Sequence, residues 1–180
     1  MKHCTECGAE LELREHPHEG RLPFCPQCGQ FRYPMFNTAV SMLVMNRSED
    51  RTILIRQYGK PTYVLVAGYV NKGEDAEDAA VRELREELGL KAESVRFNRS
   101  HYYPGSNTLM LNFTVTVDEE EAHPNWEIDG WSWFSIDEAR EKIRPGSLAK
   151  AFLLGYLDGH YEFPDLSSGK NTRKKQKHLS

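Results

Sequence analysis

Residues 68–90 read GYVNKGEDAEDAAVRELREELGL and carry the clearest structural pattern of the chain. Asp75 suits the N-cap position of a helix, and Gly89 suits the position just after its last turn. The apolar residues that share one face at helical spacing are Ala80, Val81, Leu84 and Leu88. The stretch therefore predicts a helix between Asp75 and Gly89 whose apolar face packs on a sheet.

The opposite face of the predicted helix carries the carboxylates of Glu83, Glu86 and Glu87. Side chains at i, i+3 and i+4 are neighbours on a helix, so these carboxylates converge and repel one another. Arg82 and Arg85 offset part of that repulsion. The charge pattern alone fits two interpretations equally well. One is a solvated, salt-bridged helix face, and the other is an oxygen-rich site for a hard cation such as Mg²⁺ or Mn²⁺.

The fixed spacing of this stretch resembles the signature of Nudix hydrolases, G-x5-E-x7-R-E-apolar-x-E-E-x-G-apolar. The matching residues are Gly68, Glu74, Arg82, Glu83, Leu84, Glu86, Glu87, Gly89 and Leu90. The resemblance implies that Glu83, Glu86 and Glu87 bind catalytic Mg²⁺ or Mn²⁺, and that Arg82 braces the site against Glu74. It also implies hydrolysis of a nucleoside diphosphate linked to a further group. The fold it implies is an α/β/α sandwich built on a mixed sheet.

Segments on both sides of residues 68–90 predict an α/β fold of this kind. Strands are predicted at 39–45, 52–55, 63–67, 95–98, 109–117 and 131–134. Ser135 and Glu138 form a capping-box pattern that opens a helix ending near residue 143. A last helix is predicted at 145–157, with Pro145 in or just before its first turn. The order of elements favours a mixed sheet with helices packed on it over a doubly wound fold.

The chain begins with two C-x-x-C pairs, formed by Cys4, Cys7, Cys25 and Cys28, each followed by a glycine. Such a turn directs two thiolates at one point, and two turns together form a tetrahedral zinc site of the ribbon type. A redox pair would not explain the duplication, and disulfides are disfavoured in the cytosol. We predict a closed, structural zinc site that stabilises folding.

A zinc ribbon directly before this motif resembles the NADH pyrophosphatase subfamily, whose members carry S-Q-P-W-P-F-P-x-S followed by L-M. Residues 100–110, SHYYPGSNTLM, align with that pattern and match it at Ser100, Pro104, Leu109 and Met110. The Pro-Gly pair predicts a loop here. The resemblance implies a nucleotide-binding loop whose contacts to substrate are His101, Tyr102, Tyr103 and Thr108. Several of its positions depart from the subfamily pattern, and His101 also suits a general acid or base or a solvent-facing residue.

Other matches extend the resemblance to this subfamily. Tyr33 follows the last cysteine, where the subfamily has a tyrosine that contacts substrate. Ala67 and Tyr69 resemble an A-G-F whose alanine carbonyl binds metal and whose aromatic ring stacks on a base. Glu127 matches a further metal ligand, and Ala149 lies in an S-L-A that resembles the S-I-A of a substrate site. The residues alone leave open a core role for the two tyrosines and a surface position for Glu127.

The 180 residues predict a zinc ribbon at 1–32, a Nudix domain at 33–164 and a basic, disordered tail at 165–180. A net charge of −4 argues against a general nucleic-acid binder, although the tail also suits a weak contact to RNA. The N-terminus lacks the apolar centre of a signal peptide, and no apolar run is long enough to span a bilayer. These features favour a cytoplasmic protein without membrane contact, and the resembled subfamily implies a homodimer.

The predicted function is hydrolysis of NAD(H)-like nucleotides to two mononucleotides, dependent on Mg²⁺ or Mn²⁺. The altered loop leaves ADP-ribose, a nucleotide sugar or FAD open as the substrate, as well as removal of an NAD cap from RNA. A non-enzymatic regulator that binds nucleotide or RNA is the alternative from another class. The complete set of motif glutamates disfavours it.

Overall fold

The computed structural model of this protein describes residues 2–164. Internal contacts divide the chain into two compact units, Met1–Phe36 and Asn37–Ser180. The tail predicted at 165–180 lies outside the described residues. Within the described part, no helix is both long and apolar enough to cross a membrane.

The first unit contains a three-stranded antiparallel sheet in the order β1-β2-β3. β1 spans Glu12–His16, β2 spans Gly20–Cys25 and β3 spans Gln30–Phe31. Among the described residues of this unit, Cys4 and Cys25 are the buried ones. Because so little apolar surface is buried, the unit needs a further source of stability such as a bound metal.

The second unit is built on a six-stranded sheet in the order β7-β8-β4-β5-β9, with β6 paired to β4. Its strands are β4 Asn37–Asn46, β5 Arg51–Gln57, β6 Val66–Tyr69, β7 Ala92–Tyr103, β8 Thr108–Val117 and β9 Ile128–Ser135. β4 and β8 run parallel, whereas the other paired strands of this sheet are antiparallel. The predicted mixed sheet is therefore confirmed.

Three α-helices among residues 2–164 cover the two faces of this sheet. They are α1 Ala76–Leu88, α2 Ile136–Lys142 and α3 Leu148–Asp158. Side chains alternate along β4, so Met42 and Val44 pack with α1, whereas Leu43 and Met45 pack with α2 and α3. This arrangement is the α/β/α sandwich that the resemblance implies.

The helix ends follow the predicted signals in two cases and differ in the third. α1 lies between Asp75 and Gly89 as predicted, although the Asp75 side chain makes no capping hydrogen bond. The capping box that opens α2 is also present. α3 begins three residues later than predicted, because Gly146 has a φ of 64°, which is not a helical conformation. Ser147 then caps the helix by accepting a hydrogen bond from the Lys150 N–H at 3.1 Å.

The buried face of α1 differs from the prediction. Val81 is 39% exposed, so its assignment to the packed face was wrong. The buried residues of the helix are Ala79, Ala80, Leu84, Glu87 and Leu88. Successive residues are rotated by about 100° around the helix axis. On this basis the buried face is centred close to Glu87, and Val81 lies just outside that face. The sheet-facing side of α1 therefore includes a carboxylate, whereas the periodicity of apolar residues placed all three glutamates opposite.

The predicted loop at 100–110 is mostly strand. β7 continues to Tyr103 and β8 starts at Thr108, so the connection is a single 3₁₀ turn, Pro104–Ser106, and Asn107 with a φ of 51°. Aromatic and β-branched residues favour paired strands, and the pairing here runs through to Tyr103 opposite Thr108. The strand predicted at 63–67 is also displaced. Its pairing to β4 is confined to Val66–Tyr69, which is β6.

Candidate active site and four-cysteine site

An open pocket of ≈ 470 Å³ lies in the second unit beside α1. The helix contributes the carboxylates of Glu83, Glu86 and Glu87 to its wall. Glu127, which directly precedes β9, adds a fourth carboxylate. Tyr69 at the end of β6 lines the same pocket and is 56% exposed. The fold thus brings four acids and an aromatic ring together, although Glu127 is distant from α1 in the sequence.

Glu87 is the buried acid of this group, with 5% of its surface exposed. Its Oε2 atom has no hydrogen-bond partner among the described residues. Burial raises the pKa of this carboxyl to about 8, and the charges of Glu83, Glu127 and Glu86 add to the effect. A buried carboxylate is unfavourable unless a proton or a cation neutralises it. The unpartnered oxygen and the all-oxygen donor set therefore fit a hard divalent cation.

The Arg82 guanidinium connects the acids at the edge of the pocket. Its Nε and Nη2 atoms donate to the two carboxylate oxygens of Glu74 at 2.7 and 2.9 Å, which lowers the pKa of Glu74 to about 2. Its Nη1 atom donates to Glu83 at 2.8 Å and to Glu86 at 3.0 Å. A further bond runs from Nη2 to the Tyr69 carbonyl oxygen at 3.0 Å. Arg82 therefore offsets the repulsion between the acids and ties α1 to the end of β6.

Gly68 in β6 lies directly against the Glu83 side chain of α1. A Cβ atom built on Gly68 would lie 1.9 Å from Cδ of Glu83. The Glu83 carboxylate would have to move away, and its hydrogen bond from Arg82 at 2.8 Å opposes that movement. Any side chain at this position would displace a carboxylate of the pocket, which gives a physical reason for a glycine here.

The carboxylates do not form a closed coordination shell. Within residues 2–164, the four cysteines are the one group of three or more potential ligands whose atoms all lie within 4.8 Å of one another. Glu83 and Glu86 instead share the Arg82 guanidinium. Mg²⁺ usually keeps several waters and takes one or two carboxylates together with substrate phosphates. The open arrangement suits that mode of binding better than a cage of protein ligands.

Tyr58 and Gln57 are among the pocket residues that the sequence predictions did not include. Tyr58 lines the pocket, and its hydroxyl donates to Oε2 of Glu127 at 3.3 Å. Burial and the charge of Glu127 raise the pKa of this hydroxyl, which therefore keeps its proton. Gln57 lines the pocket as well, and its Oε1 atom is buried without a partner in the described part of the chain. Both residues lie at the end of β5 outside any sequence motif, so only the tertiary structure places them here.

The β7–β8 hairpin contributes Thr108 and Met110 to the pocket wall. The predicted contact His101 instead stacks on Phe163, with ring centroids 3.9 Å apart and ring planes 13° apart. Burial lowers the pKa of His101, which favours the neutral ring. The side chain of Tyr102 is 45% exposed and donates a hydrogen bond within the hairpin turn. The structure therefore brings Thr108 to the pocket and places His101 against Phe163.

Of the other residues predicted to contact substrate or metal, Ala149 and Ala67 line a second cavity, and Tyr33 lies in the first unit. Ala149 lines a smaller, mainly apolar cavity of ≈ 180 Å³, which shares Gln57, Ala67 and Met110 with the carboxylate pocket. Ala67 thus contributes to both cavities. Tyr33 belongs to the first unit, where it is 50% exposed.

The four cysteines of the first unit converge as the sequence predicts. The sulfur atoms of Cys4 and Cys28 are 3.9 Å apart, and those of Cys7 and Cys25 are 3.5 Å apart. Sulfurs around a tetrahedral zinc ion lie about 3.8 Å apart, given Zn–S bonds of about 2.3 Å. All four cysteines are free of disulfides. The geometry and the thiol donors fit a four-cysteine metal site.

Neighbouring groups shift the pKa values of these thiols in opposite directions. The N–H of Cys7 lowers the pKa of the Cys4 thiol to about 6, and Arg32 acts in the same direction. Hydrogen bonds with neighbouring sulfurs raise the pKa of Cys28 to about 12. Gly8 and Gly29 adopt φ values of 74° and 68°, which lets each C-x-x-C turn close behind its second cysteine.

Comparison with known proteins relates most of the chain to one family. The family model of the NUDIX domain matches residues 35–152. A Pseudomonas aeruginosa protein described as NAD-capped RNA hydrolase NudC is 32% identical over 157 residues, which cover 86% of this chain and 55% of the relative. A Mycobacterium tuberculosis protein of the same description is 35% identical over 130 residues, covering 70% and 41% respectively. The chain spans about half the length of these curated relatives.

Solved structures show the same fold at lower sequence identity. A NUDIX hydrolase from Nitrosomonas europaea superposes with a TM-score of 0.58 at 21% identity, covering 91% of this chain and 96% of that chain. A hydrolase of the NUDIX family from Clostridium perfringens has a TM-score of 0.55 at 16% identity, covering 69% and 96%. At these identities the likeness concerns the fold alone.

Proposed function

The chain belongs to the Nudix family, and we propose that it hydrolyses the diphosphate bond of NAD(H)-like dinucleotides with a divalent cation, releasing two mononucleotides. The observation that carries this proposal is the single pocket that contains Glu83, Glu86, Glu87 and Glu127 beside the exposed ring of Tyr69. Acids at this density suit a cation and its phosphate ligands, and the adjacent ring suits a base. A binding protein without catalysis would not require all of these acids.

The ligands of the cation would be the four pocket carboxylates and the carbonyl oxygen of Ala67, which lines the same wall. When bound, Mg²⁺ or Mn²⁺ neutralises the charge of the diphosphate and lowers the pKa of a water molecule. Burial raises the pKa of Glu87 to about 8, so a cation held at this carboxylate would replace a proton. Arg82 holds Glu83 and Glu86 in place throughout. A carboxylate of the pocket accepts the proton of the attacking water.

The nucleotide would lie across the pocket between β6 and the hairpin. Tyr69 offers an exposed ring for stacking on a base. Thr108 and Met110 line the wall contributed by the hairpin. The apolar cavity that contains Ala149 adjoins this wall and suits the planar face of a base. We also propose substrate contacts for Tyr33.

The remaining predicted contacts lie in the hairpin. We propose them as a secondary set, formed by His101, Tyr102 and Tyr103. They rest on the resemblance of residues 100–110 to a nucleotide-binding loop rather than on the pocket wall.

Removal of an NAD cap from RNA is a second candidate function. The relatives described as NAD-capped RNA hydrolases favour it, and residues 165–180 contain five lysine and arginine residues. A phosphate contact through these residues would make RNA turnover fall with added salt. Deletion of residues 165–180 should then slow decapping of RNA while leaving NADH hydrolysis unchanged. Equal loss for both substrates would count against an RNA role of this segment.

Product analysis of four substrates tests the proposed function. NADH, NAD⁺, ADP-ribose and FAD are incubated in parallel with Mg²⁺ and with Mn²⁺, and the products are separated by chromatography. We expect NMN(H) and AMP to form fastest from NAD(H), and Glu86→Gln to reduce turnover to a small residual rate. Glu77→Gln is the matched control, because Glu77 is an exposed acid on the same helix outside the pocket. Unchanged turnover in Glu86→Gln would contradict the proposal.

We further propose that the four-cysteine site holds zinc, and that the protein is a cytoplasmic homodimer. Free thiols in a metal site are typical of reducing compartments. Elemental analysis should find one zinc per chain, and a Cys25→Ser variant should lose it. Light scattering tests the dimer, for which a monomeric mass would be the contrary result.

A further inference from the structure

Two hydrogen bonds connect the turn after β5 to the segment that enters β9. The Tyr58 hydroxyl donates to Oε2 of Glu127 at 3.3 Å, and the Gly59 N–H donates to Oδ2 of Asp129 at 2.6 Å. We call this set of four residues the clasp. One of its members, Glu127, is a pocket carboxylate, so the clasp acts directly on the candidate metal site.

The backbone of the clasp is held in an unusual conformation. Tyr58 has a φ of 56°, in the left-handed region that bulky side chains rarely adopt. Its side chain is 64% exposed, so core packing does not explain the conformation. Such residues persist where surrounding bonds enforce them, and they concentrate at functional sites. The bond from Gly59 to Asp129 supplies that enforcement directly after Tyr58.

A β-bulge places the other half of the clasp. Arg56 pairs with Gly130 and Gln57 pairs with Ile128, so Asp129 is an extra residue in β9. A bulge redirects side chains and terminates regular pairing, and bulges occur next to active sites. Here it leaves the Asp129 carboxylate free to bind the turn after β5. The turn and the bulge therefore form one local arrangement.

Glu127 depends on this arrangement for the direction of its side chain. Its N–H donates to Oδ1 of Asn125 at 2.9 Å, which positions the backbone alone. In the part of the chain that the structure describes, Tyr58 is the side chain that donates to the Glu127 carboxylate. The acids of α1 are held by Arg82, whereas Glu127 has no cationic partner of that kind among residues 2–164.

We propose that Tyr58 is a positioning residue whose hydroxyl holds the Glu127 carboxylate in the geometry that binds the divalent cation, and that Asp129 holds Tyr58 in place. This inference rests on the proposed function. The hydroxyl satisfies one oxygen of Glu127 and leaves the second available to a cation. Fixing the carboxylate in advance lowers the entropy that is lost when the cation binds.

Direct binding of Mn²⁺ tests the inference without substrate. Calorimetric titration should show a Kd roughly three- to tenfold weaker for Tyr58→Phe than for wild type, as expected from one hydrogen bond. The kcat for NADH should recover at high Mn²⁺ concentration, while its KM stays close to the wild-type value. Tyr156→Phe is the matched control, because the Tyr156 hydroxyl donates to Glu49 at 3.0 Å outside the pocket. It should bind Mn²⁺ as wild type does.

A double-mutant cycle separates positioning from general destabilisation. In a Glu127→Gln background, Tyr58→Phe should cause no further loss of Mn²⁺ affinity, because the carboxylate it positions is gone. Asp129→Ala should weaken Mn²⁺ binding in the same direction as Tyr58→Phe. Additive losses in the cycle would overturn the inference. Circular dichroism melts verify that each variant is folded before its affinity is compared.

Three outcomes distinguish failure of this inference from failure of the proposed function. If wild type binds Mn²⁺ and hydrolyses NADH while Tyr58→Phe is indistinguishable from it, the positioning role is wrong and the proposed function stands. A Tyr58→Leu variant that raises the KM for NADH without changing Mn²⁺ affinity would assign the ring to substrate binding and also overturn the role. If wild type neither binds Mn²⁺ nor hydrolyses a diphosphate, the proposed function itself fails.

Discussion

α1 and the β7–β8 hairpin line the same pocket, but their contributions are determined in different ways. α1 places Glu83, Glu86 and Glu87 through spacing within one helix, so the geometry follows from local structure. The hairpin contributes Thr108 and Met110 because of pairing between two long strands and β4. We therefore expect the proposed chemistry to depend on a local pattern, and the selection of the substrate to depend on the tertiary structure.

This difference predicts that substitutions in the two regions will have different kinetic effects. Changes in α1 should reduce turnover of every diphosphate substrate alike, because they affect the cation. Changes in the hairpin should alter the preference between substrates, because they affect the nucleotide. The following substitutions test this division, and they are arranged by the size of the expected effect.

Glu87→Gln should have the largest effect. Loss of a ligand charge in the buried part of the pocket should lower kcat for NADH on the order of 10³-fold, because stabilisation of the diphosphate charge is worth several kcal/mol. Steady-state kinetics at saturating Mn²⁺ measure this loss. Retention of more than a tenth of wild-type kcat would show that the local pattern of α1 does not supply the chemistry.

Gly68→Ala should have the next largest effect. We expect kcat/KM to fall on the order of 10²-fold, which is typical of a displacement near 1 Å in an active site. The added methyl group would overlap the Glu83 carboxylate and force it or β6 to move. Gly105→Ala offers a comparison in the hairpin, where the close neighbour is the flexible Tyr103 side chain. Equal effects of the two substitutions would contradict the division between the regions.

Glu87→Gln should also change stability in a pH-dependent way when divalent ions are removed. The folded-state pKa of Glu87 is about 8, above its ordinary value of 4.5. Wild type therefore loses stability as the pH rises from 4.5 through 8, because folding then opposes ionisation. The variant lacks this loss, so its advantage in the free energy of unfolding should grow by on the order of 2 kcal/mol between pH 5 and pH 9.

Chemical denaturation across this pH range measures the difference. Glu77→Gln lies on the exposed part of α1. Its difference from wild type in the free energy of unfolding should not show the same dependence on pH. A constant difference for Glu87→Gln would mean that the buried carboxyl is neutralised in some other way.

Thr108→Val should have a moderate effect that falls on substrate binding. The variant keeps the shape of the side chain but removes the hydroxyl, which bonds to the Ser106 carbonyl oxygen at 3.1 Å and to the Ser106 hydroxyl at 2.8 Å within the hairpin turn. Because Thr108 and Ser106 both line the pocket, the KM for NADH should rise roughly three- to tenfold with little change in kcat. Thr52→Val is a matched control, because the Thr52 hydroxyl is buried and donates to a backbone carbonyl within the sheet. A loss of kcat at constant KM would assign Thr108 to the chemical step.

His101→Phe should have the smallest effect. Phenylalanine preserves the stacking on Phe163, so packing is maintained while the ring nitrogens are removed. We expect kcat/KM for NADH to change less than twofold. A tenfold rise in KM would instead support the substrate contact that the aligned loop implies, and would show that the hairpin rearranges when nucleotide binds.

The α1 region and the cysteine pairs were predictable because their patterns are short-range. Spacing alone located the helix between Asp75 and Gly89. The burial of Glu87 was not predictable in this way, since apolar periodicity assigns no polar residue to a packed face.

The hairpin and the clasp were less predictable because they depend on long-range pairing. Pro104 and its neighbours correctly indicate a turn, but the extent of β7 is set by its register with β8. Tyr58 reaches Glu127 only because Asp129 is an extra residue in β9 and binds the turn after β5. No single-sequence pattern specifies a bulge of this kind.

The most direct test of this account measures kcat/KM for NADH and ADP-ribose on wild type, Glu86→Gln and Thr108→Val. We predict that Glu86→Gln lowers both values by a similar large factor, whereas Thr108→Val changes their ratio. A changed ratio in Glu86→Gln, or full activity in that variant, would contradict the assignment of the chemistry to α1.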